Sequence, residues 1–294
     1  MTAPTTVGPV WLKAPGPENA FEVPLYELMA KTSPTRILTP IAVDTERGWV
    51  LLPDGGRTLG DQLGDRIGGN DLIDALVAVL PQYAQLQRDL LPHADDMLAF
   101  GMTDMRAEVM PARFEEAIEV VGAYVAEHDD EAGRETLRRA TAMRAEFGEW
   151  CARLAEAVVP ASLDHNDLHP WNVFVADGRA TFYDWGDGVV AHPFSSMYLA
   201  LGIVHHKLEV PVDDPAVTRP RDAYLEVFED LAPRAELVAE LELACWVAKI
   251  TRVLTWARSL RQLDYDEAGE FISAPLDSLT GLLGPTWADL RLDS

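Results

Sequence analysis

Residues 164–172 read Asp-His-Asn-Asp-Leu-His-Pro-Trp-Asn, and a further aspartate, Asp184, follows twelve positions after Asn172. Groups that move protons or hold metals are dense here, and two chemistries fit them. In the first, His165, Asp167 and His169 alternate. On a strand they would share one face and could bind zinc or iron in a metal-dependent hydrolase. Leu168 and Pro170 argue for a loop instead, and the rest of the chain offers no obvious fourth ligand. In the second, Asn172 and Asp184 stand near the ends of the run 173–185, whose two β-rich halves flank Asp177-Gly178, a strong hairpin signal. A hairpin brings its ends together. It would set an asparagine oxygen beside a carboxylate, hard donors suited to Mg²⁺ with substrate phosphates as its other ligands. Asp167, in the loop just before, is then placed to accept a proton from a hydroxyl, which is the layout of phosphoryl transfer.

The elements around these residues divide the chain. The run 8–13, Gly-Pro-Val-Trp-Leu-Lys, reads as a strand that ends on Lys13. Helical spacing of Phe21, Leu25, Leu28 and Met29 predicts a helix over 17–31, which carries Glu22. Two apolar runs within 36–52, joined by 44–48, predict a hairpin. Six glycines between 53 and 70 mark a lobe boundary. Beyond it helices are expected at 71–91, 103–127 and 131–157. After the hairpin they are expected again at 195–208, 220–231, 235–262 and 275–290.

The segments His-Asn-Asp-Leu-His-Pro-Trp-Asn and Tyr-Asp-Trp-Gly-Asp resemble the aminoglycoside phosphotransferase and choline kinase family. Its loop reads H-x-D-x-x-x-x-N and is followed by a D-W or D-F-G-like element. The resemblance implies Asp167 as catalytic base, His165 as the catalytic-loop histidine that braces the turn, and Asn172 and Asp184 as magnesium ligands. It also implies that Lys13, paired with Glu22, holds the phosphates of ATP, or of GTP in its place. The segment Leu-Leu-Pro-Asp-Gly-Gly at 51–56 resembles the hinge where backbone groups meet adenine. The likeness spans about 10 to 200. It implies an α+β, two-lobe protein-kinase-like fold, with a reduced N-lobe over 1–58 and a mainly helical C-lobe over 59–294. The implied reaction moves a γ-phosphate onto a hydroxyl of an aminoglycoside, a sugar or an amino alcohol. One departure stands out. The family has two strands and a nucleotide-covering loop before the lysine strand, whereas twelve residues with one glycine, Gly8, precede Lys13 here. Weakened ATP binding is the expectation. The lysine strand is left as a sheet edge unless 1–8 fold over it, another chain covers it, or the natural start lies upstream. A nucleotide-binding pseudokinase or regulatory module is the rival reading, and intact Asp167, Asn172 and Asp184 speak against it.

Composition excludes other classes. Lys plus Arg is 24 and Asp plus Glu is 48, a formal charge of -24. Such a surface repels nucleic acid and anionic lipid and could attract a cationic acceptor. No basic segment followed by an apolar run opens the chain, and no apolar stretch approaches the ~20 residues that cross a bilayer. Cys151 and Cys245 form no disulfide framework or metal pattern, so a reduced cytoplasm is expected. Asp187 lies close enough to Asp184 to touch a metal or a substrate amine, and His192 could orient the loop.

Overall fold

A computed structural model describes residues 1–6, 8–261, 269 and 271–290. Its N-lobe is a four-stranded sheet of β1 (Thr2–Thr5), β2 (Gly8–Lys13), β3 (Ala42–Asp44) and β4 (Trp49–Pro53). The spatial order is β1-β2-β4-β3, with every pair antiparallel. The leading residues therefore fold over the lysine strand, with Ala3 opposite Val10, and β1 takes the edge position itself. Between β3 and β4 the Asp44 carboxylate accepts from Arg47 N at 3.0 Å, and Gly48 supplies the positive φ of 68° that the turn needs. β3 starts at Ala42 rather than near 36, because Pro40 has no N–H for a ladder.

The first helix, α1 (Glu22–Thr32), begins five residues later than its apolar spacing predicts. Pro24 explains the shift. It is tolerated in a first turn but would break a helix that started at 17. α1 buries Val23, Leu25, Tyr26 and Met29.

The C-lobe follows through α2 (Leu59–Leu63), α3 (Asn70–Leu90), α4 (Ala94–Ala99), β5 (Thr103–Asp104) and α5 (Met110–Glu127). Then come α6 (Glu131–Ala142), α7 (Arg144–Ala155), β6 (Ser162–Asp164), β7 (Val173–Ala176), β8 (Arg179–Phe182) and β9 (Val189–Ala191). The remainder is α8 (Met197–Leu208), α9 (Pro215–Glu226), α10 (Arg234–Leu260) and α11 (Ala274–Leu282). Leu72, Leu76, Val79, Tyr83 and Leu86, the stripe read from sequence, are all buried along α3. The helix expected over 131–157 breaks at Met143. α6 buries only Gly133 and Ala140, whereas α7 buries Phe147, Cys151 and Leu154. α5 starts at Met110, with Pro111 in its first turn, and the residues before it pair as β5 with β9. α9 starts at Pro215 rather than 220, because the Asp214 carboxylate caps Ala216 N at 2.8 Å. The expected end of α10 at 262 lies outside the described residues, and the described helix ends at Leu260.

Two small sheets carry the site. β7 and β8 form the expected hairpin, with Asp177 (φ 51°) and Gly178 (φ 71°) in its two-residue turn. β6 and β5 flank β9, a sheet no sequence signal announced. Ile37 bridges to Phe182, tying the segment before β3 to the hairpin. No described helix is long and apolar enough to cross a membrane.

Candidate active site

The loop after β6 hangs from a buried polar network. Ser196 Oγ donates to Asp164 Oδ1 at 2.6 Å, and Asn166 N donates to the same oxygen at 2.8 Å. The Tyr83 hydroxyl lies 2.8 Å from Ser196 Oγ and accepts from His165 N at 3.0 Å. Gln87 on α3 donates to Leu163 O at 2.8 Å and to Pro193 O at 2.7 Å, while Tyr224 donates to its carbonyl at 2.6 Å. These bonds fix both ends of the loop from elements distant in sequence. Burial pushes the Asp164 carboxyl up to about 6.

His165 is fully buried, and its ring packs on Trp185 with centroids 4.8 Å apart. Its Nε2 donates to Tyr183 O at 3.0 Å. Burial lowers its pKa, so the ring is a neutral brace between the loop and the strand that leads to Asp184. Asn166 follows with φ 59°, a left-handed conformation that turns the chain outward so that Asp167 reaches solvent.

Asp167 has three partners. Asn172 Nδ2 donates to its Oδ2 at 3.1 Å and to its backbone carbonyl at 2.9 Å. His169 Nε2 lies 3.2 Å from Oδ2, and Arg252 Nη2 lies 3.1 Å from Oδ1. Burial alone would raise this carboxyl, but the His169 hydrogen bond and the Arg252 guanidinium outweigh it and hold the group well below the usual carboxylate range.

The hairpin register sets Val173 opposite Phe182, and Tyr183 N donates to Asn172 O at 3.2 Å. Asn172 and Asp184 therefore flank the open end of the hairpin. Asp184 adopts φ 63° and ψ 68°, a strained conformation for a residue with a side chain. Its carboxylate is 51% exposed and meets Lys13 Nζ at 2.8 Å. The same ammonium meets Glu22 Oε2 at 2.5 Å. Burial would lower the Lys13 pKa, yet the two carboxylates raise it above its ordinary value. Because Asn172 directs its amide N–H at Asp167, its carbonyl oxygen faces elsewhere. That oxygen and the Asp184 carboxylate are the hard donors Mg²⁺ takes, so the pair fits that ion with phosphates completing the shell. Among the described residues no three His, Cys, Asp or Glu side chains are arranged to hold a metal, which removes the geometric basis for the His165–His169 hydrolase.

A cavity of about 420 Å³ opens beside Lys13 and Asp184, walled by Leu12, Leu52, Phe174 and Tyr183 and floored by Pro53–Gly56. Gly55 passes so close to Phe174 that an added Cβ would lie 2.4 Å from the ring. The expected hinge segment thus lies against this cavity.

Sequence reading did not single out α10. Arg252 Nη1 donates to Asn166 O at 3.0 Å, Asn166 Nδ2 donates to Thr255 Oγ1 at 2.5 Å, and Arg258 Nη2 donates to Gly186 O at 2.9 Å. The signal was present. Polar residues at 252, 255 and 259 recur at i, i+3 and i+7 and so share one face of the helix. Asp187, a possible amine ligand by sequence, faces Arg252 at 3.6 Å, Arg258 at 3.9 Å and Ser259 Oγ at 3.5 Å. His192 accepts from Phe194 N at 3.2 Å and lies 3.5 Å from Glu240, buried at the β9 end, and among the described contacts it bonds to no residue of the 164–172 loop.

A model of the phosphotransferase enzyme family matches residues 12–237. No curated protein sequence matches the chain. Similar solved structures include choline kinase from Cryptosporidium parvum Iowa II, at 13% identity and TM-score 0.59, covering 94% of this chain and 83% of that one. Choline kinase LicA from Streptococcus pneumoniae has 15% identity and TM-score 0.56, covering 95% and 88%. Macrolide 2'-phosphotransferase MphH from Brachybacterium faecium has 16% identity and TM-score 0.54, covering 99% and 88%. At such identities the likeness is one of fold, and it is the two-lobe kinase-like fold expected from the loop motif.

Proposed function

We propose that this chain, which belongs to the phosphotransferase enzyme family, moves the γ-phosphate of ATP onto a hydroxyl of a small molecule such as an aminoglycoside, a sugar or an amino alcohol. That it is a small-molecule phosphotransferase follows from the family; the nucleotide, the metal and the residue roles are our reading. One observation carries it. Lys13 bridges Glu22 on α1 and Asp184 past β8, while Asp167 and Asn172 are bonded to each other on the facing loop. We take these as a phosphate-binding cation, a metal carboxylate and a base along one cleft, and the cavity beside Lys13 as the place of the nucleoside.

In this reading Asp167 accepts a hydrogen bond from the acceptor hydroxyl. Its lowered pKa makes it a weak base, so it orients the hydroxyl first and takes the proton late, as the new O–P bond forms and the bond to the leaving β-phosphate oxygen breaks. Lys13 holds the phosphates. Asn172 and Asp184 hold Mg²⁺, which would neutralise phosphate charge when bound. His165 positions the loop and does not touch substrate. The lobes divide at 58–59, between β4 and α2. The free, buried thiols of Cys151 and Cys245 support a reducing, cytoplasmic setting. The test is ADP release from Mg-ATP against a panel of sugars, amino alcohols and aminoglycosides, beside the Asp167→Asn variant. Acceptor-dependent turnover that Asp167→Asn leaves intact overturns the assignment of the base. ATP binding with no turnover on any acceptor favours the pseudokinase.

A further inference from the structure

The family match stops at residue 237, and nearly all of α10 lies beyond it. Two arginines at the C-terminal end of α10 reach the segment that opens α1. Arg261 Nη2 donates to Glu18 Oε2 at 3.2 Å, but its side chain is 58% exposed. An ion pair that open to water contributes little. Arg258 is buried. Its Nη2 donates to Gly186 O at 2.9 Å and its Nη1 donates to Thr103 Oγ1 at 3.1 Å. Its guanidinium carbon lies 5.7 Å from the centre of the Phe21 ring, within cation–π reach.

These contacts join three parts of the molecule. Thr103 belongs to β5. Gly186 follows Asp184 by two residues, and Phe21 immediately precedes Glu22. Asp184 and Glu22 are the two carboxylates that Lys13 bridges. Arg258 therefore touches a close chain neighbour of each.

The start of α1 needs such a tie. Phe21 stands at the N-cap position, where it offers no side-chain oxygen to the first turn. Packing must fix that turn. A Cβ on Gly186 would lie 3.2 Å from Glu22 Oε1 and 3.1 Å from Asn19 Nδ2, so the two segments meet with little room to spare. Burial draws the Arg258 pKa below its ordinary value, and the carboxylates of Asp187, Glu18 and Glu22 oppose that shift. A buried guanidinium cannot leave its partners without becoming an unpaired charge. Arg258 is thus a stiff joint, whereas the exposed Arg261 pair is a loose one.

We infer that Arg258 is a positioning residue for nucleotide binding. It sets the start of α1 against the segment after Asp184, so that Glu22 already holds Lys13 in place when the phosphates arrive. The inference rests on the phosphotransferase reading above and adds a residue to it.

A double-mutant cycle tests it, with Kd for Mg-ATP by calorimetry as the readout. Arg258→Met keeps the reach of the side chain and removes its charge and both hydrogen bonds. It should weaken Mg-ATP binding about tenfold, and Glu22→Gln should weaken it by a similar factor. Because Arg258 acts through Glu22, the two losses should overlap: in the Glu22→Gln background Arg258→Met should weaken binding by about twofold or less. A residue that only supports the fold would give the full loss in both backgrounds. Arg258→Lys keeps a cation but cannot span both acceptors, so it should recover affinity to within about threefold of wild type. Arg261→Met should stay within about twofold. Thermal melting identifies a variant that fails to fold; if Arg258→Met does, Arg258→Lys takes its place in the cycle with the same overlap expected. An Arg258→Met affinity within about twofold of wild type overturns the inference, as do losses that multiply in full in the double variant. Failure of the underlying reading looks different: the wild type itself binds no Mg-ATP.

Discussion

On the proposed nucleotide side of the cleft, Lys13 is 32% exposed and Asp184 is 51% exposed, and only Glu22 is buried. On the proposed acceptor side, Asp164 and His165 have no exposed surface, and Asn172 is buried beside Asp167. The difference follows what each side must do. An ion pair open to solvent contributes little, roughly 0–1 kcal/mol, so under the proposed function Lys13 and Asp184 would separate when phosphates and a cation arrive. A base works only if its carboxylate is held in place before the substrate binds. Asp167 is held by Asn172, His169 and Arg252, and the backbone beneath it by Tyr83, Ser196 and Asp164. One side is built to exchange partners, and the other to keep them.

The largest break in this contrast should come from Asp167→Asn. It preserves shape and the contact to Asn172 while removing the proposed proton acceptor. Turnover should fall by at least ~10²-fold, with ATP affinity by calorimetry within about twofold of wild type. An ATP affinity that collapsed with turnover would show that the two sides are not separable. Asp184→Ala probes the exchanging side. It removes one of Lys13's two carboxylates and the proposed metal donor, so ATP affinity in saturating Mg²⁺ should fall about 30-fold, or about 2 kcal/mol. Thermal stability should barely move, since the lost pair is half exposed. Equal Mg²⁺ dependence in variant and wild type would count against Asp184 as a metal ligand.

The contrast also explains what could be read from sequence. The exchanging side is local. Asp177-Gly178 fixes the hairpin, the hairpin leads directly to Asp184, and Lys13 closes a short apolar strand. The rigid side is assembled from afar. Asp164 meets Ser196 thirty-two residues on, and His165 meets Tyr83 eighty-two residues back. No spacing rule connects such partners. Strands β5, β6 and β9 are too short, at two or three residues, for an alternation to register. Helix starts were misplaced wherever a proline or a cap decided them, as at Pro24, Pro111 and Asp214. Arg252 went unnoticed because a charge on a helix usually faces water.

The buried network gives a pH test of the rigid side. The Asp164 carboxyl sits at about 6, above its ordinary 3.8, because burial disfavours the charge. A group raised on folding contributes stability that is fully present below the unfolded value and is lost as pH rises through the folded one. The stability advantage of wild type over Asp164→Asn should therefore decline from about pH 4 to 7, by on the order of 2 kcal/mol. Melting temperatures of the two proteins across that range measure it. A constant difference would mean that Asp164 carries its charge at no cost, through water bound at its second oxygen.

The smallest expected effect discriminates best between the two sides. Thr255→Val keeps the shape of a buried α10 side chain and removes the oxygen that accepts from Asn166 Nδ2 at 2.5 Å. Asn166 keeps its Asp164 bond and a longer contact to Asp187 O at 3.4 Å, so the loop should stay folded. The loss should be about 1 kcal/mol of stability, the scale of one buried hydrogen bond. Asn166 holds a left-handed φ that its neighbours must maintain, and Asp167 is the next residue. A small loosening there should reach the base directly, lowering kcat roughly threefold while ATP affinity stays constant. Lys13, Glu22 and Asp184 have no bond to Asn166 or Thr255 among the described contacts, so nothing on the nucleotide side should respond. Stopped-flow ATP binding and steady-state turnover on the same sample separate the two quantities. If Thr255→Val shifted ATP binding as much as kcat, the cleft would behave as one cooperative unit, and the division between an exchanging side and a held side would be wrong.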